Sequence, residues 1–334
     1  MPLEALDWAV TPVGLHYLLI HYDIPRVDHA TWSLRVDGRV ERPLTLSLDE
    51  IRSRPARTVA VTMECAGNGR AHLEPRPLSQ PWLVEAVGTA EWTGTPLRPL
   101  LEEAGLLGDA IEIVFTGLDH GIEGGVEQDY ARSLSVDEAS RDEVILAYEM
   151  NGQPLLPQHG FPLRLVVPGW YGMTNVKWLA RVEAVAELFT GFQQAEGYRF
   201  LRDPDDDGDP VTRIAPRALM APPGYPDFMT RRRFVALGPC PVRGRAWSGD
   251  APLTRVQVSA DGGRSWHDAH LDEADLGPYA WRSWSWTWNP PGPGEYELWC
   301  RARDAAGTEQ PNTPDWNVKG YANNAVQRVP VTVA

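Results

Sequence analysis

Apolar and polar positions change their rhythm late in the chain. Up to about residue 220, short β-branched and leucine-rich runs predict strands at Trp32 to Val36, Thr58 to Met63, Ile111 to Phe115, Val144 to Tyr148, Leu163 to Val167 and Val176 to Val185. Helix starts fall between them. Ser47 with Glu50 and Ser135 with Glu138 have the spacing of capping boxes, and Thr95 precedes Pro96. No regular strand-helix-strand alternation joins these elements, so the pattern predicts a mixed α+β fold. After about residue 230 only alternating runs and turns remain, at Val242 to Trp247, Thr254 to Ser259, Trp284 to Trp288 and Tyr296 to Arg303. Such a series of short strands predicts an all-β sandwich of the immunoglobulin type. The proline-rich stretch from Ala221 to Asp227 reads as the linker, which divides the chain into residues 1–225 and 226–334.

Length and charge narrow the function. A chain of 334 residues exceeds what one core usually supports, in keeping with two domains. The net charge of -14 argues against a general affinity for nucleic acid or an anionic membrane, so an anionic ligand has to find a local cluster of cations. No apolar stretch approaches the ~20 residues that span a bilayer. The first residues lack the basic and apolar regions of a signal peptide, from which a cytoplasmic location is expected. Three cysteines without a CxxC pair exclude a disulfide framework and a visible second redox centre.

Of those cysteines, Cys65 stands apart. It leaves a β-branched run and enters a loop of small residues ending in Arg70, which suits a thiolate ligand or nucleophile. Gly67 and Gly69 let the backbone approach something bulky. The plainer reading is a buried structural thiol, and that reading is preferred for Cys240 and Cys300 in the predicted sandwich. Asp203 to Gly208 imitates half of a calcium loop, but Ile214 stands where the bidentate glutamate belongs, so a solvated acidic loop is expected. His267 and His270 read as exposed, the stripe of Trp284, Trp286 and Trp288 as core or interface, and Gly121 to Gly125 as a flexible loop. Between His159 and Lys177 lies a denser signal. His159 and Arg164 flank a buried strand, and Lys177 starts the next, so the three cations either converge on an anion or pair with internal carboxylates.

In order along the chain, Cys65-Ala-Gly-Asn, Leu146-Ala-Tyr-Glu-Met-Asn-Gly-Gln, His159-Gly-Phe-Pro-Leu-Arg, Val167-Pro-Gly, Val176-Lys-Trp-Leu and Ala246-Trp-Ser-Gly resemble the sulfite oxidase family of molybdenum enzymes. The resemblance implies an α+β domain holding one molybdenum-molybdopterin, a C-terminal immunoglobulin-like domain that makes a homodimer, and Cys65 as the metal's thiolate ligand. It also implies pterin contacts from His21, Asp119, His159, Arg164 and Lys177, with the Asn175 and Val176 backbone beside them. Arg70 and Tyr198 then serve the substrate pocket. Leu19 and Ile20 stand where the family carries Arg-Asn, and Gly69 replaces the first of two arginines, so the pocket is less cationic than in animal or plant sulfite oxidases. The expected activity is oxygen-atom transfer to or from a small oxyanion or sulfoxide-type substrate, with electrons passed to a separate partner. Three alternatives stay open: a reductase of a sulfoxide, N-oxide or nitrate on the same cofactor, a non-catalytic scaffold, and a thiol enzyme with Cys65 as nucleophile, for which no obvious base stands nearby in sequence.

Overall fold

A computed structural model describes residues 1–274 and 276–334. The chain forms two compact units, one of Met1–Tyr17, Val61–Thr89 and Arg213–Ala334, the other of Leu18–Ala60 and Ala90–Thr212. The stretch 1–225 therefore contributes to both. In the second unit, a five-stranded mixed sheet runs in the order Leu44–Ser47, Ser33–Gly38, Leu179–Val185, Glu112–Glu123, Val126–Ser135. Only the pair Ser33–Gly38 and Leu179–Val185 is parallel, with Arg35 opposite Arg181. Strand Val87–Pro96 ends in this unit, where Trp92 to Pro96 pair with Ile145–Met150. On the other edge of Ile145–Met150 lies the short strand Arg164–Val166, with Ala147 opposite Arg164. The core between these layers is aliphatic, with Leu34, Ile51, Leu97, Leu146 and Leu165 all fully buried.

Local sequence explains the short helices. Ser47 accepts from the Glu50 backbone while Glu50 reaches back to Ser47, which starts helix Leu48–Arg52 as the spacing predicts. Ser135 accepts the Glu138 N–H at 3.2 Å and starts the single turn Val136–Ala139. Thr95 does not cap helix Leu97–Ala104. It ends a strand instead, and its hydroxyl donates to the Ile51 carbonyl at 2.8 Å. The expected loop at Gly121 to Gly125 is a hairpin, because the strand continues to Glu123 and only Gly124 and Gly125 turn, both at positive φ.

In the first unit two sheets face each other as a sandwich. One is ordered Arg217–Ala221, Cys240–Trp247, Arg282–Trp288, His270–Leu271. The other is ordered Tyr225–Pro226, Arg233–Val235, Gln327–Val333, Gly294–Asp304, Leu253–Ser259, His267–Asp268. Trp284 and Trp288 enter its core and Trp286 packs against it, as one stripe on one strand face. Cys240 and Cys300 are buried free thiols, and His267 and His270 are exposed. Among the described residues no helix is long and apolar enough to cross a membrane, and no cluster of His, Cys, Asp or Glu is arranged to hold a metal.

Candidate active site

Strand Arg57–Glu64 delivers Cys65 to the start of its loop. The Cys65 N–H donates to the Ala86 carbonyl at 2.9 Å, and its own carbonyl accepts from the Asn68 N–H at 2.9 Å. Burial pushes the thiol up to about 11, opposed by the Gly67 N–H and then by Arg70. The bulky neighbour of the glycines is protein. A Cβ on Gly67 would stand 2.6 Å from the Arg70 guanidinium, and Gly69, at φ +90°, would put one 2.9 Å from the Asn323 carbonyl. Arg70 is buried, donates to the Lys319 and Gln80 carbonyls at 2.8 and 3.1 Å, and lies 5.1 Å from the Tyr321 ring centroid. Among the described residues no carboxylate pairs with it.

Behind this loop sits a charge pair that sequence reasoning misses. Glu64 and Arg217, 1% and 2% exposed at their side chains, approach to 3.0 Å. Glu64 also accepts from Asn68 Nδ2 at 2.9 Å and Trp247 Nε1 at 2.8 Å. Asn68 Oδ1 in turn accepts from the Ala86 N–H at 3.0 Å, which ties the network to the residue that hydrogen-bonds Cys65. An acid inside the run Val-Thr-Met-Glu-Cys was the available signal, since an ionised side chain there needs a buried partner.

In the second unit the structure brings the predicted cations together. Arg164 donates to the His159 carbonyl at 3.0 Å and the Asn175 carbonyl at 3.1 Å, and its guanidinium lies 4.6 Å from the Trp92 ring centroid. Lys177 Nζ donates to the Leu19 carbonyl at 2.6 Å. Desolvation, then the neighbouring Arg164, pushes Lys177 down to about 7. Asp119 is buried, its Oδ1 has no hydrogen-bond partner among the described residues, and desolvation raises its carboxyl to about 6. The Asn175 and Val176 backbone groups serve the protein itself, for the Val176 carbonyl accepts from Leu165 at 2.8 Å and the Asn175 N–H donates to Gly172.

His21 and Tyr198, far apart in sequence, meet at 2.5 Å between Nε2 and the hydroxyl. Desolvation, Lys177 and Arg132 lower His21 to about 4, so its ring is neutral at pH 7. Arg132 was not anticipated. It is buried, donates to the Gln193 carbonyl and stands 5.7 Å from the Tyr198 ring centroid.

Comparison with known proteins gives this geometry its class. Residues 21–193 match the oxidoreductase molybdopterin binding domain, and residues 229–334 match the Mo-co oxidoreductase dimerisation domain. Sulfite oxidase of Gallus gallus is 37% identical over 98% of this chain and 74% of its own length. Mitochondrial sulfite oxidase of Mus musculus is 36% identical over 97% of this chain and 62% of its own length. The NADH nitrate reductase of Hordeum vulgare is 31% identical, and the chain spans 38% of it. The crystal structure of the sulfane dehydrogenase SoxCD from Paracoccus pantotrophus superposes with a TM-score of 0.81 at 27% identity, covering 98% of this chain and 82% of that one. The chain belongs to the sulfite oxidase family and is a molybdopterin-dependent oxidoreductase whose cofactor is molybdenum-molybdopterin.

The residues present fit that cofactor. Cys65 offers a soft sulfur donor that suits molybdenum. The buried Asp119 oxygen offers an acceptor for the N–H groups of a pterin, and Lys177, depressed in its proton affinity, offers a cation that a phosphate would restore.

Proposed function

We propose that this protein oxidises a small sulfur oxyanion, sulfite in the first place, by oxygen-atom transfer and passes the electrons to a separate acceptor. The observation that carries this reading is Arg70. A guanidinium 3% exposed and held by carbonyls and a tyrosine ring, with no carboxylate among the described residues, is a buried cation whose charge an anionic substrate would balance. Bound to the protein, molybdenum-molybdopterin supplies the two-electron oxygen-atom chemistry. Cys65 is the metal's protein ligand. His21, Asp119, His159, Arg164 and Lys177 hold the pterin and its phosphate, with the loop at Asn175 and Val176 shaping that side. Arg70 orients the anion. Tyr198 donates from its hydroxyl, which the neutral His21 ring keeps in place.

Leu19 favours a second reading. Its carbonyl receives Lys177, and its side chain brings no charge where the family carries arginine. In the reverse direction, reduction of a neutral sulfoxide or N-oxide is less penalised by that change than oxidation of sulfite, whereas nitrate, itself an anion, gains nothing from it. Purified protein should contain about one molybdenum per chain, and Cys65→Ser should abolish turnover while leaving the circular dichroism unchanged. Turnover of sulfite with ferricyanide should exceed that of methionine sulfoxide with reduced viologen. Metal-free protein from a host that makes the cofactor would sink both readings, and the opposite substrate preference would sink the first.

The dimerisation domain supports a homodimer. We place its contact on the apolar residues around the hairpin Tyr225–Pro226 and Arg233–Val235, where Tyr225, Phe228 and Met229 are each more than four-fifths exposed. Phe228→Asp with Met229→Asp should convert the dimer to monomer by light scattering.

A further inference from the structure

A cavity of about 560 Å³ opens within the first unit, and neither Cys65 nor Arg70 lines it. Its volume falls in the range of about 300–1,000 Å³ typical of small-molecule sites. Four arginines, Arg217, Arg231, Arg233 and Arg328, and two glutamates, Glu4 and Glu85, are among the residues that line it. Two of the arginines are already balanced, Arg233 by Glu4 at 2.9 Å and Arg217 by Glu64 at 3.0 Å. Arg231 and Arg328 have no ion pair among the described residues. Arg328 is nonetheless held in place, donating to the Asn312 carbonyl at 3.0 Å and stacking 4.2 Å from the Trp299 ring centroid. In a chain of net charge -14 this is a local excess of positive charge, the condition an anionic ligand needs. His72, on the same wall, shows the field: its proton affinity is lowered, first by desolvation and then by Arg217.

The rest of the lining is mixed, with Leu3, Leu83, Val84 and Val326 beside the amides of Asn312, Asn323 and Gln327. We propose that the cavity binds a small organic anion, a carboxylate, sulfonate or phosphate carried on an apolar body, with Arg231 and Arg328 as its charge partners. A planar guanidinium takes such oxyanions through two parallel hydrogen bonds, and the leucine and valine side chains remove the body from water. Gly69 and Arg217 belong both to this cavity and to the scaffold of the Cys65 loop, so an occupant touches the structure that holds Cys65.

Isothermal titration of the holoenzyme with benzenesulfonate, and with uncharged methyl phenyl sulfone, tests the site. Benzenesulfonate should bind once per chain, and the sulfone about tenfold more weakly or worse. Arg231→Ser with Arg328→Gln should weaken benzenesulfonate by about tenfold or more, whereas Arg328→Lys, which keeps the charge, should lose only a small part of that. Sulfite turnover should be unchanged in these variants. Absence of saturable binding, as when a second copy of the chain fills the cavity, would overturn the proposal. So would equal binding of the sulfone, full affinity in the double variant, or a benzenesulfonate site lost on Arg70→Ala and competed by sulfite, which would place it in the substrate pocket.

Discussion

Two side chains show how much a single buried charge decides. Lys177 sits at about 7 rather than near its ordinary value because desolvation and Arg164 disfavour the ammonium. Between pH 7 and about 10.4 the unfolded chain therefore carries a proton that the folded cofactor-free chain lacks, so stability rises with pH across that window. The cost of Lys177 is absent above the window and complete below it. Lys177→Met should accordingly stabilise cofactor-free protein at pH 7 and make little difference near pH 10.5, measured as urea midpoints. A Lys177→Met gain that is equal at both pH values would contradict this account. Glu64 gives the opposite lesson, since Glu64→Gln leaves Arg217 buried and uncompensated, for an expected loss of about 3–5 kcal/mol. Adding Arg217→Met should recover part of that loss, because it removes the orphaned charge. Cys65, Arg164 and Lys177 were legible in the sequence because each breaks the pattern around it, a thiol leaving a strand or a cation inside an apolar run. Glu64 breaks the pattern equally, but its partners Arg217 and Trp247 lie more than a hundred and fifty residues away, and spacing carries no signal over that distance.

Elements were legible where burial is one-sided or complete. Val144 to Tyr148 is apolar throughout and Leu163 to Val167 is apolar but for Arg164, and both appear close to their expected bounds, as Ile145–Met150 and Arg164–Val166. Val126–Ser135 escaped, because Glu127, Gln128, Asp129, Arg132 and Ser133 dilute its alternation, and the backbone pairing with Glu112–Glu123 holds the strand instead. Val87–Pro96 escaped because Gly88, Gly94, Ala90 and Glu91 lower strand propensity and break up its apolar run, although most of its residues are buried. Helix Leu48–Arg52 rests heavily on its cap, being too short for much internal hydrogen bonding. Ser47→Ala removes both the acceptor for the Glu50 N–H and the donor to its carboxylate. A loss of about 1 kcal/mol in urea unfolding should follow, with turnover unchanged. A change in turnover instead would mean that this helix supports the site.

For the whole molecule, net charge bears on the proposed transfer of electrons to a separate acceptor. The net charge of -14 per chain, doubled in a homodimer, repels ferricyanide and attracts a basic haem protein. Salt screens both interactions, since raising ionic strength from about 0.01 to 0.15 M shortens the Debye length from about 30 to about 8 Å. The two acceptors therefore should respond in opposite directions. With sulfite saturating, kcat/KM for ferricyanide should rise with salt, while kcat/KM for the basic haem protein should fall. This contrast separates the global field from the local one, because Arg70 and the cavity arginines are the same for both acceptors and act only on small anions within reach. If both rates moved the same way, the acceptor would be meeting a local patch of charge rather than the acidic surface as a whole.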